Sequence, residues 1–371
     1  MNSNQLIEYF ADVIQQILSK IGSASNLSED KNAQALISAI LKALDGLGIK
    51  ASEVMPKELE KAYYLAVDEA SASLEKAGAK TDGAYAMTKR GFIAKGFQRK
   101  IHIAAVKKIV SDTLTDLKAA IRTAKKSTRT TINKVLKKVK KEIADGLILG
   151  NHNRIVRKRL AKAFQEEGLT AFLTAPDKKG KRRRLRVDKY AGTVVRTKMR
   201  EANTQGAANR YIESGVTLVK VSQHAPTCHV CAGFQGMVIS LTGDNPGFKS
   251  INDGGVQLPP FHPNCRHTII PYVIAFKTKE EIQKEKDKWK TWKPKKDIRS
   301  NSQQRAYKKE QDIRRKAHEE LKMYERYKAV LGSDAPKTIG AFRRMKRANS
   351  PSWQKVKAKY RNASREMRAA K

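Results

Sequence analysis

Apolar residues near the start of the chain recur at three- and four-residue steps: Leu6, Phe10, Val13, Ile14, Ile17 and Ile21. That spacing predicts a helix over about 4–21 with one buried face. A second helix, about 29–47, has Ser28 as N-cap, Glu29 and Asp30 in its first turn, and Gly46 and Gly48 near its end. A third, about 57–77, opens after Pro56 and closes at Gly78, and a Gly/Thr/Asp segment at 79–83 reads as a linker. Over 94–149, the stripe Ile101, Ile103, Ala104, Val106, Ile109, Val110, Leu114, Leu117 and Ile121 predicts one or two long helices. Further helices are expected at about 152–167 and 188–213.

The period then shifts. Segments 216–222, 236–241 and 268–274 are rich in β-branched residues and bounded by Gly or Pro, which predicts three short strands. Helical spacing returns at about 278–291, 301–331, 335–346 and 351–369. On the long helix 301–331 the apolar stripe is narrow: Ala306, Ile313, Ala317, Leu321, Tyr324, Tyr327 and Leu331. The expected fold is mainly α with a small α+β insert, long basic helices around a short antiparallel β module clipped by Cys and His. No run approaches the length of a membrane span. The N-terminus lacks a basic lead, and Glu8, Asp12, Gln15 and Gln16 interrupt its apolar face, so it does not read as a signal peptide.

Charge divides this picture. The 371 residues contain 76 Lys+Arg and 36 Asp+Glu, a formal net charge of +40. Residues 1–84 hold eight Lys, no Arg and twelve acids, a net −4, which leaves +44 on the rest. Such a charge repels itself unless a polyanion neutralises it, which argues against a small-molecule enzyme. Phosphate-contact candidates are Lys178, Lys179, Lys181, Arg182, Arg183, Arg184 and Arg186 in the basic break at 177–187. In the tail they are Arg314, Arg315, Lys316, Arg343, Arg344, Lys346 and Arg347.

All three cysteines lie between 228 and 265. Cys228-His-Val-Cys231 can present two thiolates to one ion, and His262-Pro-Asn-Cys265-Arg-His267 adds Cys265 with either His262 or His267. That is a Cys3His set, the donor set of a closed structural zinc site. An odd number of thiols cannot be fully paired, and three cysteines make no disulfide framework, pointing to synthesis in a reducing cytoplasm. Three short strands bury too little to stand alone, so a metal would add folding energy. His224 is a spare ligand. The only acids within 221–270 are Asp244 and Asp253, in glycine-rich turns, so no general base accompanies the cluster and no catalytic residue is assigned.

Val221-Ser-Gln-His-Ala-Pro-Thr-Cys228-His-Val-Cys231, Gln235-Gly236 and Pro259-Pro-Phe-His262-Pro-Asn-Cys265-Arg-His267 resemble tailed-phage minor capsid proteins. These are the minor capsid protein 2 type and the related Mu F-like head morphogenesis proteins. Val195-Arg196-Thr197 and Ala202-Asn203 resemble the Arg-Thr helix that precedes this motif in the Mu F-like group. The resemblance covers about 190–275. It implies a structural head protein in the capsid interior of the virion, assembled in the host bacterial cytoplasm. It further implies contact with the portal or major capsid protein and with packaged double-stranded DNA, and a part in head assembly and genome packaging or ejection.

Four segments follow: a near-neutral helical head over 1–84 for portal or capsid docking, a basic helical region over 85–187, the Cys/His module over 188–276, and a basic helical tail over 277–371. A different class of function is a zinc-containing HNH-like nuclease, from the superficial likeness of His262, Asn264 and His267 beside two knuckle cysteines. In such nucleases these residues spread over a hairpin and helix, whereas here they lie within six residues.

Overall fold

The computed structural model describes residues 1–27, 29–88, 91–145, 155–157, 159–160, 163, 170–173, 184–293 and 297–369. Helix α1 spans Ser3–Ser23, α2 Asp30–Lys76 and α3 Lys100–Ala144. Strands β1 (Ala171–Leu173) and β2 (Arg184–Arg186) pair antiparallel and lead into α4, Val187–Glu213. Then come β3 (Leu218–Val221), the single-turn α5 (His229–Ala232), β4 (Val238–Ser240) and β5 (Ile269–Pro271). Helices α6 (Lys279–Thr291), α7 (Asn301–Leu331), α8 (Ile339–Arg347) and α9 (Pro351–Ala369) complete the order. The mainly α fold with a small β insert is as the periodicity predicts.

By spatial clustering the chain forms two compact units, each gathered from separate stretches. One holds 1–3, 52–115 and 193–312; the other holds 4–51, 116–192 and 313–371.

In the first unit, β3 is the central strand of a sheet ordered β4-β3-β5, antiparallel on both sides, with Val219 opposite Ile239 and Pro271. Val219, Val238 and Ile239 are fully buried in a core closed by Phe234, Phe261, Tyr272 and Trp289. Trp289 of α6 donates its indole N–H to the Val238 carbonyl at 2.6 Å, so the helix is pinned to the edge strand by packing and by a polar bond. Lys220 of β3 pairs with Glu285 of α6 at 2.8 Å.

A polar chain is buried in the same unit. Asn209 donates to the Tyr63 hydroxyl at 2.6 Å, Tyr63 meets His102 Nδ1 at 2.8 Å, and His102 Nε2 meets Glu213 at 3.1 Å. Burial raises the Tyr63 phenol well above its ordinary value, so its hydroxyl keeps a proton to donate to His102. This corrects the α3 stripe. Ile101 and Ile103 are exposed, while His102, Ile109, Thr113, Leu117, Ala120 and Ala124 are buried. His102 enters the core because both ring nitrogens find partners.

In the second unit, the predicted face of α1 is buried at every position from Leu6 to Ile21. The two helices expected at 29–47 and 57–77 are one, α2, running through Gly46, Gly48 and Pro56. Leu44, Leu47, Ala51, Met55 and Leu59 are buried along the expected break, and that burial outweighs the propensity cost of two glycines and one lost N–H. At Gly46 a Cβ would lie 3.3 Å from the Tyr9 hydroxyl, so the glycine admits close approach of α1. The pairing of β1 with β2 adds a hairpin where a basic loop is expected, since three-residue strands carry too few positions to show alternation. The helix expected at 152–167 falls largely outside the described residues.

Candidate metal centre

Neighbouring strands bring the two knuckles together. Val221 at the end of β3 pairs with Ile269 at the start of β5, and the Ser222 N–H donates to Thr268 O at 2.9 Å. The chain leaving β3 and the chain entering β5 therefore sit side by side. On the first, Cys228 caps α5: its Sγ accepts the Cys231 N–H at 3.4 Å. On the second, the Cys265 N–H closes a turn on His262 O at 3.0 Å, with Asn264 in the left-handed region at φ 63°.

Sequence separation collapses here. His262 Nε2 lies 3.3 Å from Cys228 Sγ and 3.0 Å from Cys231 Sγ, and Cys231 Sγ lies 3.8 Å from Cys265 Sγ. Two thiolates on one tetrahedral zinc are about 3.8 Å apart, given Zn–S near 2.3 Å, so the observed separation fits an ion. The His262 Nδ1–H donates to Pro263 O at 2.8 Å, leaving Nε2 as the lone-pair nitrogen aimed at the thiols. His267 is held the same way from the other side: Nδ1 is 3.7 Å from Cys265 Sγ and Nε2 is 3.4 Å from Gln235 Oε1.

Two overlapping ligand groups result, Cys228–Cys231–His262 and Cys231–Cys265–His267, each with its ligand atoms within 4.8 Å of one another. Cys231 belongs to both. The groups contain no carboxylate and do not include His224, which meets Ser222 Oγ at 3.2 Å and stacks edge-on against His267. Contact with Cys231 pulls the Cys228 thiol down to about 5 and the Cys265 thiol down to about 3, while Cys231, between them and buried, is pushed up. The five residues offer thiol and imidazole donors of the kind that hold a divalent cation.

The Arg-Thr helix meets this loop: Arg196 Nε donates to Asn264 Oδ1 at 2.7 Å, and the Asn264 N–H lies 3.4 Å from Thr197 Oγ1. Phe234 and Phe261 stack at 4.6 Å beside the cluster. Arg196 and Gln235 lie within the segments that carry the resemblance, but their contacts with Asn264 and His267, like that of Pro263 O with His262, come from the turn and the strand pairing.

The phosphate candidates fare unevenly. Lys178, Lys179, Lys181, Arg182 and Arg183 lie outside the described residues, and Arg184 is described only as part of β2. Arg186 is held by Asp188 at 2.8 Å and Glu325 at 2.6 Å, so its charge is matched within the chain. Arg314, Arg315 and Lys316 are exposed on α7, and Arg344 and Arg347 on α8. Arg343 and Lys346 share Glu320 at 3.1 and 3.5 Å. Cations not singled out from sequence are also exposed: Lys107, Lys108, Lys118, Arg122, Lys126 and Arg129 along α3.

The described residues form a helical, cation-rich chain whose three-stranded sheet brings three cysteines and two histidines together. Residues 12–330 match the family model described as phage minor capsid protein 2, and the chain belongs to that family. Its role is therefore structural, in the phage head, and its place is the virion. Comparison with curated proteins and with solved structures gives no significant match. Among the described residues no helix is long and apolar enough to cross a membrane.

Proposed function

We propose that this protein sits inside the head near the portal and holds packaged double-stranded DNA by sequence-independent phosphate contacts, assisting head assembly and genome packaging or ejection. One observation carries the reading: a member of a minor capsid family displays rows of exposed Lys and Arg on α3, α7 and α8. Inside a shell filled with DNA, such rows exchange condensed counterions for protein charge. The near-neutral segment 1–84 is the proposed docking surface for portal or major capsid protein. The cysteine–histidine cluster is the proposed seat of one structural zinc, with Cys228, Cys231 and Cys265 as thiolate ligands and His262 or His267 as the fourth.

Fluorescence anisotropy with several unrelated duplexes of equal length tests the DNA reading. Similar affinities that fall steeply between about 50 and 200 mM salt are expected. Strong sequence preference that persists at high salt would overturn it. Elemental analysis tests the metal, with about one zinc per chain expected; well under one rejects the assignment. Nuclease activity is disfavoured because His262 faces thiols and Asn264 is bound by Arg196. Plasmid nicking in Mg2+ or Mn2+ that is lost in His262→Ala would reverse that.

A further inference from the structure

Residues past 330 lie beyond the family match, and they form a defined arrangement. α8 has nine residues and α9 nineteen, joined by Ala348, Asn349 and Ser350 alone. Each end is fixed. Thr338 Oγ1 accepts the Ala341 N–H at 3.1 Å and starts α8. Asn349 turns left-handed at φ 46° and ends that helix, and Ser350 Oγ accepts the Trp353 N–H at 3.1 Å to start α9. Gln354 bonds back to Asn349 Oδ1, tying the turn to α9.

One aromatic core braces both helices on α7. Phe342 is fully buried, with its ring 5.2 Å from Trp353 and 5.5 Å from Tyr324. Tyr327 stacks on Tyr360 at 4.1 Å. A helix, a three-residue turn and a longer helix braced by a third is the order of helix-turn-helix units, whose second helix enters the major groove.

The outer face of α9 suits that place. Trp353, Val356 and Tyr360 turn inward, and at 100° per residue Lys355, Ala358, Arg361, Asn362 and Arg365 fall on the side away from them, all exposed. Residues 351–365 hold five basic residues and no acid. Lys355, Arg361 and Arg365 match the phosphates that flank the groove, and Ala358 leaves room for close approach. We propose that the second half of α7 with α8 and α9 forms a helix-turn-helix unit, and that α9 seats in the major groove of duplex DNA. This rests on the DNA-contact reading above and assigns it a helix and a groove.

The test uses the full chain and a triple variant, Lys355→Ala with Arg361→Ala and Arg365→Ala; all three positions are solvent-facing, so circular dichroism should match the parent. The triple variant is expected to bind roughly ten-fold or more weakly near 100 mM salt. Its log–log salt slope should fall by about 2.7, at about 0.9 per lost phosphate contact. Dimethyl sulfate should find guanine N7 protected by the parent chain and exposed with the triple variant. If the parent binds DNA but the triple variant binds equally, with the same slope and no N7 protection, α9 is not the seat and the broader reading stands. A triple variant that keeps DNA binding but loses association with capsid or portal protein would assign the face to protein and overturn the proposal. A parent chain that leaves all duplexes unbound overturns both readings.

Discussion

An added Cβ at Gly206 would lie 2.3 Å from the carbonyl oxygen of Tyr63. The obstacle is backbone, so relief requires α2 and α4 to separate. Gly206→Ala should therefore lose about 2–3 kcal/mol, read as a lower urea midpoint, at the upper end of the usual overpacking cost. At the cluster, Cys231 belongs to both ligand groups whereas Cys228 and Cys265 belong to one each. Cys231→Ser should take zinc content well below one per chain, while His224→Ala, outside both groups, should leave it unchanged. The spacing C-x2-C and H-x2-C-x-H made these residues legible because a tight turn is itself the ligand geometry. The supports were not legible: nothing local tells that Asn264 will meet Arg196, 68 positions away.

At the scale of elements, α6 is held to the sheet by two different bonds. Trp289→Phe keeps most of the apolar area but leaves the Val238 carbonyl without its donor, and should cost about 1–2 kcal/mol in thermal or denaturant unfolding. Burial pushes the Glu285 carboxyl up, but Lys220 and Lys288 outweigh it and hold it below the ordinary carboxylate value. A depressed folded value means stabilisation that is present above the unfolded pKa, about 4.3, and lost as pH falls through the folded one. The parent should therefore melt at a steady temperature down to about pH 5.5 and lower below about 4.5. Glu285→Gln should melt lower at neutral pH and converge with the parent in acid. Helix identity along α1, α4, α6, α7 and α9 was readable because each has one continuous stripe or clear caps. The fusion of α2 was not, since Gly46, Gly48 and Pro56 are stop signals locally and only the burial of Leu47, Ala51 and Met55 overrides them.

Across the whole molecule the governing quantity is uncompensated charge. With +40 formal charges, repulsion among exposed cations should destabilise the free protein. Its melting temperature should rise as salt increases from about 20 to 150 mM, because the screening length shortens to about 8 Å. Heparin should raise it further at much lower ionic strength. A melting temperature indifferent to salt and to polyanion would show that the cations are already neutralised within the fold.

The sequence by itself determined most element types, the asymmetry of charge between residues 1–84 and the rest, and the cysteines and histidines that could hold a metal, because periodicity, charge and short motifs are local. Tertiary structure decided which polar groups enter the core, as with His102, and which basic residues are spent internally, as with Arg186. It also decided that α9 turns Trp353 and Val356 inward and leaves Lys355, Arg361 and Arg365 exposed. Those outcomes depend on partners distant along the chain, and burial selects among them only once the backbone has brought them together.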